Sequence, residues 1–427
     1  MPGTTITQAG NYSLLIDTGY DVGSFQLDSD IKGLLDGTYP LGPTTDFADV
    51  TESTLQIMVK RGRRDSGDVF AAGTMTFTIN DVDGIFNPFD ENSPFYDTAE
   101  SLPGLAPLRA VELIRYNNAN NPEYLFKGRV VNYDYNFALD GIDTVTVYCA
   151  DDFYLLGQTY MDELNVSVET SGERIETVLS LPEVNYPTGA ARDIDPGTVD
   201  LGHDDAYTVP AGTNVLSYLA QINQTAEFGR LFVSRAGILT FTPRVGITFS
   251  GSVADFHDDG TAIPYDNLGI TFEADQVTNR VLIENLGTAI ETAEDLASQA
   301  AFFIQTNSIT NSLLDDTELA AAAIYLLDPY PEARYNSVET VFGALTDAQR
   351  DTVAIIDIND TISIEKTFIT GASTMTLAQE LSVEGIEHTI TLNGHRVALF
   401  TSPTTIVYEL ILDDATYGTI DTTNVLG

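Results

Sequence analysis

Polar and apolar residues alternate over several stretches of this chain. A period of two is satisfied by one regular structure, a strand with one face buried. Between Ala72 and Asn80, Met75, Phe77 and Ile79 fall on one face and Thr74, Thr76 and Thr78 on the other. Val131, Tyr133, Tyr135 and Phe137 alternate with Asn132, Asp134 and Asn136. Ile142 to Cys149 continues the pattern beyond an Asp140-Gly141 turn. Thr389 to Leu392 and His395 to Phe400 flank Asn393-Gly394. That pair is the strongest hairpin signal in the chain, because both residues tolerate positive φ.

Helical signals are fewer and lie in the middle and later parts. Thr170 and Glu173 form a capping-box pattern, followed by Ile175, Val178 and Leu179 at helical spacing and stopped by Pro182. Asn214 to Ala226 carries Leu216, Leu219, Ala220 and Ile222 on one stripe. A hairpin is expected next, with strands Arg230 to Ser234 and Ile238 to Thr242 about Arg235-Ala236-Gly237. Helices are also expected over Ala293 to Gln305 and Thr317 to Asp328, with a short capped turn at Thr346-Asp347-Ala348-Gln349. No short fixed repeat runs through the chain, which argues against solenoids and propellers.

The chain therefore reads as mainly β with an α+β segment between two β blocks. The expected divisions are an N-terminal arm (1–45), a first β block (46–160), a mixed segment (161–264), a second β block with helices (265–402) and a C-terminal arm (403–427). Residues 183–213 and 251–269 are rich in Pro, Gly, Asp and Thr and read as linkers.

Charge bounds the partners. Lys plus Arg number 19 and Asp plus Glu 63, a formal net charge of −44. Such a surface repels nucleic-acid phosphates and anionic membranes. Only four lysines occur: Lys32, Lys60, Lys127 and Lys366. Few lysines among many carboxylates fit a salty environment, where a Debye length of ~3 Å at ~1 M salt screens self-repulsion. An acidic surface kept for solubility alone fits as well. The single cysteine excludes a disulfide framework and a multi-cysteine zinc site. The longest apolar run, Leu319 to Leu327, falls far short of the ~20 residues that span a bilayer. No secretory signal is readable at Met1-Pro2-Gly3-Thr4-Thr5, so stable membrane insertion and export are not expected.

Common catalytic signatures are missing. No Lys follows a Gly and no two glycines stand two positions apart, which removes the P-loop and the dinucleotide fingerprint; G-x-S-x-G and H-E-x-x-H are also absent. The histidines are His203, His257, His388 and His395. Asp255, His257, Asp258 and Asp259 would hold a divalent cation or form a solvated acidic loop, and the abundance of carboxylates favours the loop. His388 and His395 straddle the Asn-Gly turn and read as satisfied sheet histidines. Asp81-Val82-Asp83-Gly84 resembles half of a calcium loop, but Ile85 and Asn92 stand where ligands are required, so a turn is the better reading. Cys149 reads as a small core residue. Paired carboxylates for glycoside hydrolysis carry no specificity among so many acids. Lys60, Arg61, Arg63 and Arg64 concentrate positive charge in five positions. Ion pairing within an acidic protein and a contact with an acidic neighbouring subunit both account for them, ahead of DNA.

An ordered set of motifs carries a resemblance. Leu55-Gln56-Ile57-Met58-Val59-Lys60-Arg61-Gly62-Arg63-Arg64 is followed by Ala71 to Asp81, Phe86-Asn87-Pro88 and Ser93-Pro94-Phe95-Tyr96. Then come Phe126-Lys127-Gly128-Arg129-Val130, Ala150-Asp151-Asp152, Phe228-Gly229-Arg230-Leu231-Phe232-Val233 and Gly237 to Phe241. Leu345 to Arg350, Val383-Glu384-Gly385-Ile386-Glu387-His388-Thr389-Ile390, Leu412 to Gly418 and Leu426-Gly427 complete the set. Over residues 50–427 the chain resembles the minor tail proteins, or baseplate hubs, of long non-contractile-tailed viruses. It departs from them in charge, because such proteins are usually richer in Arg.

The resemblance implies two tube-type β-barrel domains with α+β insertions, and a homotrimeric ring at the tail tip that closes or extends the tube. The implied partners are a distal tail ring protein, the tape-measure protein and tail fibres, with viral DNA only as passing cargo. Assembly in the host cytoplasm, incorporation in the virion and a non-enzymatic role follow. No catalytic residue, cofactor or metal carries over. An acidic lumen would let DNA slide without sticking. The rival readings are a secreted carbohydrate-active enzyme of a salt-loving microbe and a glycan-binding surface protein. The second would use tyrosines such as Tyr133 and Tyr135 for stacking, although half-buried strand faces explain them better.

Overall fold

The computed structural model describes residues 6–8, 10–19, 47–64, 69–97, 101–139, 141–202, 207–244, 252–287, 289–371, 373–403, 408–409 and 424–425. Its first part is a run of strands: β1 (Tyr12–Asp17), β2 (Phe47–Asp49), β3 (Thr54–Gly62), β4 (Ala71–Asn80), β5 (Ala110–Tyr116), β6 (Pro122–Asn136) and β7 (Thr144–Ala150). Alternation decides the faces. Met75, Phe77 and Ile79 of β4 are fully buried, as expected, and so are Ile57 and Val59 of β3. In β6 Leu125, Phe126 and Val130 are buried; past a bulge between Val130 and Asn132, Val131, Tyr133 and Tyr135 are half-buried and alternate with exposed Asn132, Asp134 and Asn136.

A mixed region follows. Helix α1 (Asp152–Gln158) is capped by Asp151, and α2 (Ser171–Leu179) has the full Thr170–Glu173 capping box. Helix α3 (Val215–Ile222) runs into a π turn at Asn223–Glu227, and the hairpin of β8 (Arg230–Val233) and β9 (Leu239–Thr242) comes next.

The last part begins with β10 (Ala254–His257), β11 (Asn267–Thr271), β12 (Arg280–Asn285) and β13 (Ile290–Glu294). Helix α4 (Leu296–Phe302), β14 (Thr306–Ser312), α5 (Leu319–Tyr325) and β15 (Arg334–Val341) follow. Helix α6 (Asp347–Ile355), β16 (Thr361–Thr370), β17 (Ser373–Thr391) and β18 (Gly394–Pro403) complete it. The helix expected from Ala293 starts instead at Leu296, because Asp295 supplies its cap and Ala293 belongs to β13. The capped turn at Thr346 extends into a nine-residue helix, since its Thr346–Gln349 capping box is followed by Val353 and Ala354, which bury against the core.

Among the described residues, thirteen strands form one sheet in the order β2-β1-β5-β6-β7-β4-β3-β17-β18-β15-β11, with β16 added to β17 and β10 to β16. The fold is therefore mainly β with α+β insertions. The N-terminal residues are not simply an arm. Strand β1 pairs with β5 from Tyr12↔Arg115 to Ile16↔Val111, and Leu14 and Ile16 are fully buried. The linker-like stretch 251–269 likewise delivers β10, which lies parallel to β16 and buries Phe256.

Two cores result. One combines Val59, Phe77, Phe126 and Val147 with Ile364, Ile386, Ile390 and Leu399, so the first and second β blocks share their interior. The other joins α1–α3 and the β8–β9 hairpin to Val281, Ile283, Leu313, Leu319 and Ala322. A division at residue 264 therefore does not separate the cores: segment 280–326 packs with the mixed region. Among the described residues, no helix is long and apolar enough to cross a membrane.

Candidate functional site

Strand β17 is 19 residues long and changes partner along its length. Ser373 to Ser382 pairs with β16, and Gly385 to Thr391 pairs with β3. At the changeover its ladder with β18 carries a bulge between Val383 and Gly385, and Glu384 sits there. The β3 side needs an unusual close approach. Gly62, at φ 80°, faces Gly385 in register, and a Cβ on Gly62 would lie 2.1 Å from the Glu384 carbonyl oxygen. Glycine is required there by both conformation and space.

The Glu384 carboxylate is the meeting point of three distant segments. Arg63 donates from Nε to Oε2 at 2.8 Å. Arg230 of β8 donates to Oε1 from Nε at 3.2 Å and Nη2 at 2.8 Å, and Ser402 donates its hydroxyl to Oε1 at 2.7 Å. Glu384 is 1% exposed. Burial pushes its carboxyl upward, but Arg230 and Arg63 outweigh burial and hold it below the usual range.

The other basic residues of the β3 motif are also paired inside the chain. Arg61 occupies the next inward position after Ile57 and Val59 on β3 and donates to Asp357 Oδ1 at 2.5 Å. The other oxygen of Asp357 accepts from the Arg235 amide at 2.8 Å. Arg64 and Lys60 both reach Glu387, at 2.7 and 3.4 Å, and the Arg64 guanidinium lies over the Phe400 ring. All four basic residues of the β3 motif thus join β3 to the C-terminal third of the chain. The sequence located the charge but not its partners, since glutamates at 384 and 387 look like any of the other acids.

His388 and His395 are brought together in the shared core. Tyr12 Oη lies 2.9 Å from His395 Nδ1, and His395 Nε2 lies 3.0 Å from His388 Nδ1. A tyrosine hydroxyl donating to Nδ1 leaves the His395 proton on Nε2, which donates to His388 in turn. Burial lowers His388 to about 3, helped by Arg61 and Arg235, and pushes His395 well below its ordinary value. Both are neutral core residues, in line with the reading as satisfied sheet histidines.

The Asp255–Asp259 cluster is split. Asp258 pairs with Lys366 at 2.7 Å, and Asp255 accepts from the Ser252 hydroxyl. His257 and Asp259 lie with Glu365 so that one ligand atom from each falls within 4.8 Å of the others, on the exposed side of the β10–β16 pair. Asp81 begins a turn, accepting from the Phe86 amide. Cys149 is buried in β7. Tyr133, Tyr135 and Phe137 stack along one face of β6 with centroids 6.1 and 6.0 Å apart, and both tyrosines pack on the core. His203, Asp140 and the motif segments 412–418 and 426–427 lie outside the described residues.

A cleft of about 480 Å³ opens beside Glu384. Arg63, Arg230, Arg244, Asn223, Glu384 and Tyr325 are among its lining residues.

No protein-family model matches the chain, and no curated protein matches it. Solved structures do. The tail protein from Neisseria meningitidis MC58 superposes with a TM-score of 0.56 at 12% identity, over 92% of this chain and 97% of that one. The 43 kDa tail protein of prophage MuSo2 from Shewanella oneidensis gives 0.54 at 11%, again over 92% and 97%. The chain has a tail-protein fold. Within that fold, the Glu384 junction ties the β8–β9 hairpin to the seam between β3 and β17.

Proposed function

We propose that this chain is a structural, non-enzymatic protein of a viral tail, placed at the tail tip as a hub. In this reading its two tube-type β units form a ring that closes or extends the tail tube. Neighbouring tail proteins (a distal ring, the tape-measure protein and fibres) anchor on the ring, and DNA passes through it. The observation that carries the reading is a fold likeness spanning 92% of this chain and 97% of each of two tail proteins. The ordered sequence motifs support it independently, because three of them supply Arg63, Arg230 and Glu384 to one buried junction. A net charge of −44 suits a wall past which DNA must slide without adhering. Neither fold likeness favours a carbohydrate-active enzyme.

The test is the mass of the purified full chain in solution at low and at molar salt, followed by imaging of any ring. A homotrimer with a central channel is expected. A monomer at every salt and concentration would overturn the hub reading.

A further inference from the structure

The cleft beside Glu384 has two polar groups with nothing to bond among the described residues. Asn223 is 5% exposed and lines the cleft, and its side-chain Oδ1 has no hydrogen-bond partner among the described residues. Arg244 lies with its guanidinium over the Tyr325 ring, 5.0 Å from the centroid, and its buried Nη1 also has no partner among the described residues. Neither position is loose. Asn223 opens the π turn that follows α3, and Glu227, at the end of that turn, accepts from the Arg244 backbone amide at 3.3 Å. Glu227 is itself held by the Ser171 and Thr198 hydroxyls at 2.5 and 2.6 Å. A buried polar atom left unpaired in a fixed frame is costly and marks a place where a partner belongs.

We propose that this cleft docks a short acidic-apolar peptide segment of a neighbouring protein. Arg244 would take a carboxylate, and the Asn223 amide would take the segment's backbone, for which a side chain with both a donor and an acceptor is suited. A volume of about 480 Å³ exceeds what a single ion needs, and Ile309, Leu326 and Pro403 offer apolar contact. Three guanidinium groups against one carboxylate leave the lining positive in a protein of net charge −44. The distant negative charges are screened beyond a Debye length of ~8 Å at physiological salt, while contact at Arg244 persists. A polyanion such as nucleic acid would meet the whole acidic surface, so a segment with one or two carboxylates is the better fit. The inference does not depend on the tail reading.

The test uses the full chain and a fluorescein-labelled peptide of alternating leucine and glutamate, read by anisotropy, with a leucine–glutamine peptide as control. The glutamate peptide is expected to bind at least tenfold more tightly than the glutamine one. Arg244→Ala and Asn223→Ala should each weaken it about tenfold, with thermal melts showing that the variants fold. Should a variant fail to fold, the comparison of the two peptides on the unmodified chain decides alone. Equal binding of the two peptides, or undiminished binding to a folded Arg244→Ala, overturns the proposal. Displacement of the peptide by millimolar inorganic phosphate would reassign the cleft to a small anion. Self-association lost in Arg244→Ala, without peptide binding, would reassign it to a second copy of this chain.

Discussion

Gly62 and Gly385 face each other across the antiparallel pair of β3 and β17, and neither has room for a side chain. A Cβ on Gly385 would lie 2.3 Å from the Arg63 carbonyl oxygen. Both backbones must move to admit a methyl group, and they hold the seam between the two β units. Gly385→Ala is expected to lower unfolding free energy by about 2 kcal/mol or more. Denaturant titration measures this, and a change below about 0.5 kcal/mol would show that the seam is softer than its spacing suggests.

Removing the Glu384 carboxylate strands Arg63 and Arg230 without a counter-charge. Breaking one side of a buried pair costs about 3–5 kcal/mol, so Glu384→Ala should be strongly destabilising. Because Arg230 belongs to the β8–β9 hairpin, hydrogen exchange in Arg230 to Thr242 should accelerate more than exchange in β4. Uniform acceleration would mean that the junction does not hold the hairpin in particular.

The histidine pair makes the fold acid-sensitive. In the folded chain both rings are held neutral far below the ordinary histidine range, whereas in the unfolded chain they charge near pH 6.5. The unfolded state therefore binds more protons below pH 6.5, and stability falls as pH falls through that value towards 3. Each such histidine contributes ~1.4 kcal/mol per pH unit over the window. Imidazole NMR signals should show no titration of either ring between pH 8 and 5; titration near 6.5 would refute the buried pair.

Asp151 acts with the opposite sign. Its carboxyl, 4% exposed, caps α1 at the Phe153 amide and accepts from the Gly73 amide at 2.7 Å. Burial raises it to about 7, against those hydrogen bonds. The folded state then holds a proton between about pH 4 and 7 that the unfolded state has lost, so this group's contribution declines as pH rises through that window. Asp151→Asn should remove the decline, so that stability rises more steeply from pH 5 to 7 than in the unmodified chain. Identical slopes would show that Asp151 keeps an ordinary carboxyl.

The unfolding midpoint should rise between low and molar salt, because 63 acidic residues repel one another over a surface with 19 basic ones. Paired groups such as Glu384 are already neutralised, so the gain must come from the unpaired carboxylates. A midpoint independent of salt would leave solubility as the only reason for the acidity.

What the sequence determined alone was local. Alternation placed Met75, Phe77 and Ile79 inward, and the Thr170 and Thr346 caps started helices where they stand, because a strand face or a helix cap depends on a few neighbouring residues. Even the expected Asn393-Gly394 turn was nearly right: Thr391 pairs with Gly394, so its centre falls one residue earlier, at Leu392 and Asn393. Tertiary structure decided which strand meets which. Backbone ladders are chemically alike, so nothing local marks β17 as the partner of β3, more than three hundred residues away, or sets Gly62 against Gly385. The same holds for charge. Arg63 and Arg230 were visible as basic residues, but a carboxylate such as Glu384 becomes distinctive only once the fold has buried it and brought its partners from the first part and the middle of the chain.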